Sequence, residues 1–599
     1  MLKKLNISKN QFDKQTFQYD KNIFFIDLCL LFIVSFIFLI FKLGSFPLFA
    51  SGEGRYAEIA REMLANGNWL SPGILGVPFL DKPDLYYWIA ALSMKVFGVN
   101  LWAVRLPQML FGIFGCLVAY IIGSSCFSRL VGLLSAILLL LSPLYFCASH
   151  YSNMDLEFAI LLSASLGSFM LGIRYRDNKL YLNLFMFSVY VFASFAFLTK
   201  GVLGLVFPFI IISAWISLFK RWQLIKYMKI TKGFCVFLII VLPWVLISQY
   251  INHNFLYSFL YDQQVNDFFR GTNSIMPVWF YPAVLLIGLL PWSLISISAW
   301  PKIYSIWNYI ENCSDRKHIK ESECFNDKGI ISFLVVWFVA LLMFFSFFHV
   351  KHMGYILPVT VPLSVLLGVY ITRSIGTAGF YLSSIFSCIV CVFIGFIFLN
   401  VQHYINYLDI NLRDLNNFLS IVHFLGVFII LCGVINLFVL FLRRRISSCF
   451  VWLFMMAVFN LSLLYLAPSF NTKTILPILN SVKDKIGPED IVVDLEHYHA
   501  DLPIYLNRNI YLVKDWNNKD IDNQDSLDFD FFKNMMKLSE EPDFVLSGAE
   551  FQSVWDKSIA FKTKLIIFAN KNTYYKWEKI LPGNINLLAE DNNTVVFSN

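Results

Sequence analysis

The polar stretch from Ser51 to Trp88, SGEGRYAEIAREMLANGNWLSPGILGVPFLDKPDLYYW, holds Glu53, Arg55, Asp81 and Lys82 among glycines, between apolar runs long enough to cross a bilayer. A long charged loop of this kind is more often functional than ornamental. Four other segments bring charge to the ends of apolar runs. SHYSNMDLEF carries Asp155 and Glu157, FLTKG carries Lys200, YDQQVNDFFRG carries Arg270, and FFHVKHMGYILP carries Lys351 and Tyr355. A carboxylate at the mouth of a membrane span is expensive unless it faces a cavity or a partner. A single terminal Lys commonly snorkels to the interface, but several cations arriving from separate loops point to an anionic ligand.

Lys82 as a point charge and Arg270 as a bidentate fork suit a phosphate. The carboxylates Glu53, Asp81 and Asp155 suit three tasks: activating an acceptor hydroxyl, stabilising oxocarbenium character, or holding a cationic sugar amine. Outside the cytoplasm nucleotide sugars are not available, so a glycosyl donor there is lipid-linked, its phosphate held at these cations. Stabilising the charge that develops on the leaving phosphate is then the largest catalytic contribution. Sugar transfer, lipid transport and a channel all stay open on these residues alone.

The elements that must position them are membrane helices. The 599 residues are 58% hydrophobic and only 15% charged, against roughly 25% charged in soluble domains. Apolar runs place thirteen spans at 22–43, 101–123, 130–147, 154–173, 180–198, 201–219, 233–251, 279–300, 329–348, 355–372, 378–399, 421–442 and 449–467, each near the length a bilayer needs. The first is too long for a signal core and lacks a cleavage site, so it reads as a retained anchor. Basic residues concentrate on the side of the N-terminus, which the positive-inside rule makes cytoplasmic. The opposite side has few: Lys42, Arg55, Arg61, Lys82, Lys95, Arg105, Lys200, Arg270, Lys351 and Arg413.

Within the first loop, Tyr56, Ile59, Ala60, Met63 and Leu64 recur at helical spacing, with Arg55, Glu58 and Glu62 on another face and Ser51 as N-cap. This predicts an amphipathic helix along the membrane surface, and a second interfacial segment over Leu85–Phe97. The 11 cysteines all precede Pro468, so no disulfide framework is expected, and Cys388 and Cys391 read as packing residues.

An odd number of spans puts the tail outside. Beyond Asn471, IVVDL, IYLV, DFVLSG, KLIIFA and TVVFS read as strands, with helices near Ile478–Ile486, Phe531–Lys537 and Glu550–Trp555. This is a small α/β domain that supports or covers the site. The division is 1–21 cytoplasmic tail, 22–467 membrane domain with its first outer loop at 44–100, and 468–599 outer domain.

GEGRYAEIAREM followed by DKPDLYYW resembles the GT-C membrane glycosyltransferases, whose patterns are roughly DEGRYAEIAREM and (E/D)KPPLYYW. The likeness continues through FLTKG, the Phe-Arg of the third outer segment and VKHMGYILPVTVPL, where Met353 stands in place of the family's first Pro. YHADLPIYLNR resembles the ArnT branch in particular. The resemblance implies a GT-C fold with an outer α/β domain in a bacterial inner membrane. It also implies an undecaprenyl-phosphate donor bearing 4-amino-4-deoxy-L-arabinose or galactosamine, and a lipid A phosphate as acceptor. Lys82, Arg270 and Tyr355 would hold the donor phosphate, with Arg55 and Lys351 nearby. Glu53, Asp81 and Asp155 would be the catalytic or sugar-binding carboxylates, and Glu157 and Lys200 are further candidates. Neither a metal, another cofactor nor a nucleic-acid partner is expected. The family's leading Asp is Gly52 here, so either Glu53 takes over its work or no base is needed, as for an acceptor phosphate already ionised. Another acceptor (a protein hydroxyl or surface glycan), a transporter, or an inactive scaffold are the alternatives.

Overall fold

The computed structural model describes residues 21–599 apart from 81, 254, 258, 260–275, 300–326, 349–350, 409–411, 515–542, 562, 583–584 and 592. Among the described residues, ten helices are long and apolar enough to cross a membrane, from Lys21–Ile40 to Arg445–Phe470. Two of the expected spans are broken instead of straight. Arg129–Leu140 and Pro143–Ser149 meet at 66°, and Phe280–Gly288 and Trp292–Ser298 at 103°. Each break sits at a proline, Pro143 or Pro291, which has no N–H to give and crowds the preceding turn. The expected span over 201–219 is the apolar helix Leu203–Leu218, 16 residues long and thus short for the hydrocarbon core.

The helix Met154–Arg174 is the axis of the bundle, its apolar window entirely buried. It packs against Leu101–Cys126, Lys179–Lys200 and Leu203–Leu218. At one end of the first helices Asp27 accepts from Arg129 (Nε and Nη2, both 2.7 Å) and from Tyr120 Oη (2.8 Å), so this buried carboxylate is fully partnered. Cys388 and Cys391 are buried packing residues of Ala378–Leu399.

The first-loop helix is present as expected, but its polar face is covered as well as its apolar one. The helix, Arg55–Asn66, follows a wide π-turn over Ala50–Gly54. It buries Glu58, Arg61 and Glu62 as well as Ile59, Ala60 and Met63. The polar face is covered because a hairpin and the terminal domain pack on it. Glu62 accepts the Leu75 and Gly76 N–H groups (2.8 and 2.9 Å), which fixes the two-residue strands β1 (Gly73–Ile74) and β2 (Val77–Pro78). Arg61 forks onto Glu58 (both 2.7 Å) and reaches Asn509 Oδ1 (2.5 Å). Leu85–Phe97 is a helix as expected.

Among the described residues the terminal domain is built on a sheet of six strands, β3 (Ile491–Leu495), β4 (Tyr511–Val513), β5 (Val545–Leu546), β6 (Leu565–Asn570), β7 (Asn586–Glu590) and β8 (Thr594–Ser598). Their order is β5-β4-β3-β6-β8-β7, parallel from β5 to β6, with β8 antiparallel to β6 and to β7. Because side chains alternate along a strand, Val493, Leu495 and Ile567 meet Phe551 and Trp555 on one face, while Val492, Ile566 and Phe568 meet Ile478, Leu479 and Leu502 on the other. The edge strand β7 lacks the apolar pattern that marks the others. The helix expected at Phe531–Lys537 lies outside the described residues.

Candidate active site

The first-loop turn is held by one ion pair. Arg105, in Leu101–Cys126, and Glu53 are both 0% exposed. Arg105 Nε donates to Glu53 Oε1 (2.6 Å) and Nη2 to Oε2 (2.7 Å). Its remaining donors reach the carbonyls of Leu43 (3.1 Å), Phe46 (2.8 Å) and Pro47 (3.1 Å), so all five guanidinium N–H groups are used. Glu53 also accepts the N–H of Ser152 on Oε1 (3.0 Å) and of Phe49 on Oε2 (3.2 Å). Four donors fill the four lone-pair positions of one carboxylate. Glu53, expected as a catalytic carboxylate, is thus committed to bonds inside the protein, and Arg105 is a residue of the site region that the sequence motifs did not single out. Ser152 Oγ donates to Val104 O (2.8 Å) and so accepts from Tyr86 Oη (2.6 Å). That ties Met154–Arg174, Leu101–Cys126 and Leu85–Phe97 together beneath the loop.

Beside this lock stands Asp155, in the first turn of Met154–Arg174 and steadied by Asn153 (3.1 and 3.2 Å). It pairs with Lys200, the last residue of Lys179–Lys200, and both side chains are 11% exposed. The Lys200 ammonium lies 4.7 Å from the Tyr355 ring centroid, a cation–π distance. Gly354, next to Tyr355, lets Asp155 approach, because a Cβ there would overlap Asp155 Oδ2. His352, which sequence reasoning passed over, senses the same group. Desolvation lowers its pKa first, Asp155 opposes this, and Lys200, Arg55 and Lys82 lower it further. Asp155, Lys200, Tyr355, Arg55 and Lys82 therefore share one electrostatic neighbourhood, assembled from four distant segments.

Lys351 is buried and donates to Met276 O (2.8 Å) and to Phe348 O; desolvation lowers its pKa. Two of its three N–H donors are spent on loop carbonyls. Glu157 is fully buried inside the bundle, with the Thr199 hydroxyl 3.1 Å from Oε1. Asp81 and Arg270 lie outside the described residues. Asp84, also missed from sequence, ends the DKPD turn. It is buried, accepts from Trp244 Nε1 (2.9 Å), and burial pushes its pKa up to about 7. No group of three His, Cys, Asp or Glu side chains able to hold a metal occurs among the described residues.

The terminal domain closes onto this loop through the YHADLPIYLNR segment. Tyr505 Oη accepts from Leu48 N (2.9 Å), Asn471 Nδ2 donates to Leu48 O (2.9 Å), and Ile504 and Leu512 join the apolar cluster of the first loop. Gly54 lies so close to the segment that a Cβ would stand 3.1 Å from Asp501 N. Inside the domain, His499 Nδ1 lies 2.9 Å from Asp494 Oδ1, and Asp501 accepts from Thr474 Oγ1 (2.7 Å) and Ile475 N (3.2 Å).

Residues 81–247 match the family described as Dolichyl-phosphate-mannose-protein mannosyltransferase. The chain is 27% identical over 335 residues to the undecaprenyl phosphate-alpha-4-amino-4-deoxy-L-arabinose arabinosyl transferase 1 of Pseudomonas fluorescens, covering 55% of each. It is 30% identical over 336 residues to the corresponding transferase of Enterobacter sp., covering 54% of this chain and 56% of the other. The chain thus spans about half the length of the curated relatives it matches. The crystal structure of ArnT from Cupriavidus metallidurans bound to undecaprenyl phosphate superimposes over 95% of this chain and 97% of its own, with a TM-score of 0.78 at 21% identity. In sequence over about half its length this multi-pass membrane protein is similar to these arabinosyl transferases, and over nearly its whole length it shares the fold of the ArnT structure.

Proposed function

We propose that this protein is an inner-membrane glycosyltransferase that moves an amino sugar from undecaprenyl phosphate to a lipid A phosphate at the periplasmic face. The names of the relatives favour 4-amino-4-deoxy-L-arabinose over galactosamine as the sugar. The observation that carries the reading is the gathering of Arg55, Lys82, Lys200 and Tyr355 around Asp155, where the outer loops meet the bundle. Helices 22–467 are the membrane domain, and 468–599 is a periplasmic domain that holds the first loop in place.

In this mechanism the donor phosphate is bound by Lys82, Arg55 and Tyr355, with Arg270 from the third outer segment, while Lys351 fixes the loop that bears Tyr355. As the anomeric carbon–oxygen bond breaks, its electron pair leaves on the undecaprenyl phosphate, and these cations stabilise the charge. The acceptor phosphate oxygen forms the new bond to the anomeric carbon. It is ionised at neutral pH, so no proton has to be removed, which accommodates Gly52. Asp155, joined by Asp81 of the DKPD turn, serves the oxocarbenium character or the sugar amine, and the Lys200 ion pair keeps Asp155 aimed. Glu53 acts as a positioning residue with Arg105.

Mass spectrometry of lipid A from cells with and without the gene tests this reading. A mass gain of one amino sugar, lost with the gene, is the expected result. Unmodified lipid A in cells that contain the protein would move the assignment to a protein or glycan acceptor.

A further inference from the structure

The transfer mechanism leaves Glu157 unused, although it stands two residues from Asp155 on the same helix, Met154–Arg174. Both carboxyls reach the end of one neighbouring helix. Asp155 pairs with Lys200, the last residue of Lys179–Lys200, and Glu157 Oε1 lies 3.1 Å from the hydroxyl of Thr199, the residue before it. The two contacts are adjacent rungs between the two helices, one charged and one not.

Counting donors shows where the proton of the second rung lies. Thr199 Oγ1 is also 2.9 Å from Phe195 O, one turn back in its own helix. A carbonyl only accepts and a hydroxyl has one proton to give, so Thr199 satisfies both contacts by donating to Phe195 and accepting from Glu157. Glu157 can donate only as a carboxylic acid. An ionised Glu157 would have to draw the Thr199 proton away from Phe195, and its Oε2 would still have no hydrogen-bond partner among the described residues. Glu157 is fully buried, and a buried carboxylate with a single neutral hydrogen bond is so costly that the group takes up a proton instead. The groups around it offer no compensation. The Lys200 ammonium is on Asp155, and Tyr86, within electrostatic reach of Glu157, gives its proton to Ser152.

We propose that Glu157 is a neutral carboxylic acid that positions Lys200 for Asp155. Its O–H holds Thr199, and with it the final turn of Lys179–Lys200, at a helix end that would otherwise fray. Being neutral, it also leaves the single ammonium to Asp155, where a second carboxylate would compete for it. Glu157 is thus a positioning residue that acts through Thr199 and Lys200. The inference rests on the glycosyl-transfer reading, in which Asp155 serves the sugar, and adds to it the group that keeps the Asp155–Lys200 pair in register.

The test uses the full chain in lipid nanodiscs with undecaprenyl-phosphate aminoarabinose as donor and lipid A as acceptor. Glu157→Gln stays neutral and keeps an N–H for Thr199, so it is expected to retain the wild-type kcat. The infrared difference between wild type and Glu157→Gln is expected to show the C=O stretch of one protonated carboxyl. Glu157→Met and Thr199→Val each remove the rung and are expected to lower kcat about tenfold, the factor one neutral hydrogen bond represents, with undecaprenyl phosphate affinity and Tm little changed. The double variant is expected to be no slower than either single one, because both cut the same contact. A Glu157→Gln protein as slow as Glu157→Met, or a difference spectrum without the protonated carboxyl, overturns the inference, since either result marks an ionised Glu157. Wild-type kcat in Glu157→Met and Thr199→Val overturns it too, as do parallel losses of donor affinity and Tm, which mark a structural role. All of these leave the transfer reading standing. A wild type that binds undecaprenyl phosphate yet transfers nothing to lipid A overturns that reading, and the positioning role with it.

Discussion

A carboxylate works as a base or a charge stabiliser only if a lone pair is left for the substrate, and this separates Glu53 from Asp155. Glu53 spends every lone pair on Arg105, Ser152 and Phe49. Removing one partner of a buried ion pair typically costs about 3–5 kcal/mol, because the other charge is left uncompensated. Arg105→Met should therefore lower folded yield and Tm, whereas Glu53→Gln, which keeps the shape, should leave the protein that does fold with most of its turnover. Asp155 has one oxygen on Lys200 and the other on Asn153, an arrangement with room for a further partner. Asp155→Asn and Lys82→Ala should each abolish transfer while expression and membrane insertion persist, checked by turnover and by membrane-fraction immunoblot. An inactive scaffold would tolerate both changes.

At the scale of elements, the site depends on close approaches between segments far apart in sequence. The turn His352–Tyr355 reaches Asp155 only because residue 354 has no side chain. Gly354→Ala should push the carboxylate aside. Misplacing a reacting group by about 1 Å commonly costs about a hundredfold in rate, so kcat should fall on that scale while Tm barely changes. The two bent spans belong to this scale as well. Hydropathy marks an apolar run but says nothing of its direction. Pro143 and Pro291 turn the chain, and the first of these breaks delivers Tyr151 and Ser152 to the loop.

At the scale of the molecule, the terminal domain is a clamp on the first loop, and its docking segment titrates. Burial raises the Asp501 pKa from 3.8 to about 6. The folded state then binds a proton more tightly than the unfolded state, and stability falls as pH rises through that window. His499 is also raised from 6.5: burial opposes the shift, but the Asp494 carboxylate outweighs it. Its contribution is complete below 6.5 and is lost as pH rises through the folded value. Both groups act in the same direction, so the clamp should resist proteolysis better at about pH 5 than at about pH 8. Limited proteolysis across that range tests this, and Asp501→Asn should flatten the acid part of the profile.

Composition and apolar run length alone determined a polytopic helical protein, because a bilayer leaves the backbone few solutions. Strand alternation in the tail marked five strands of the terminal sheet, and missed Asn586–Glu590, whose exposed edge carries no apolar pattern. Cations and carboxylates recurring at span ends marked the site region, because charge is expensive there and needs a reason. Only the tertiary structure decided which of those charges remain available. Glu53, Arg105 and Asp155 are alike in sequence as charges near a membrane, yet two of them saturate each other and their neighbours while the third stands by Lys200 and Tyr355. Likewise, Gly52 reads in sequence as a missing acid. In the fold it is the space that the Tyr151 hydroxyl occupies, since one side chain's room is set by where another segment packs, and hydrogen-bond saturation depends on partners that no local spacing specifies.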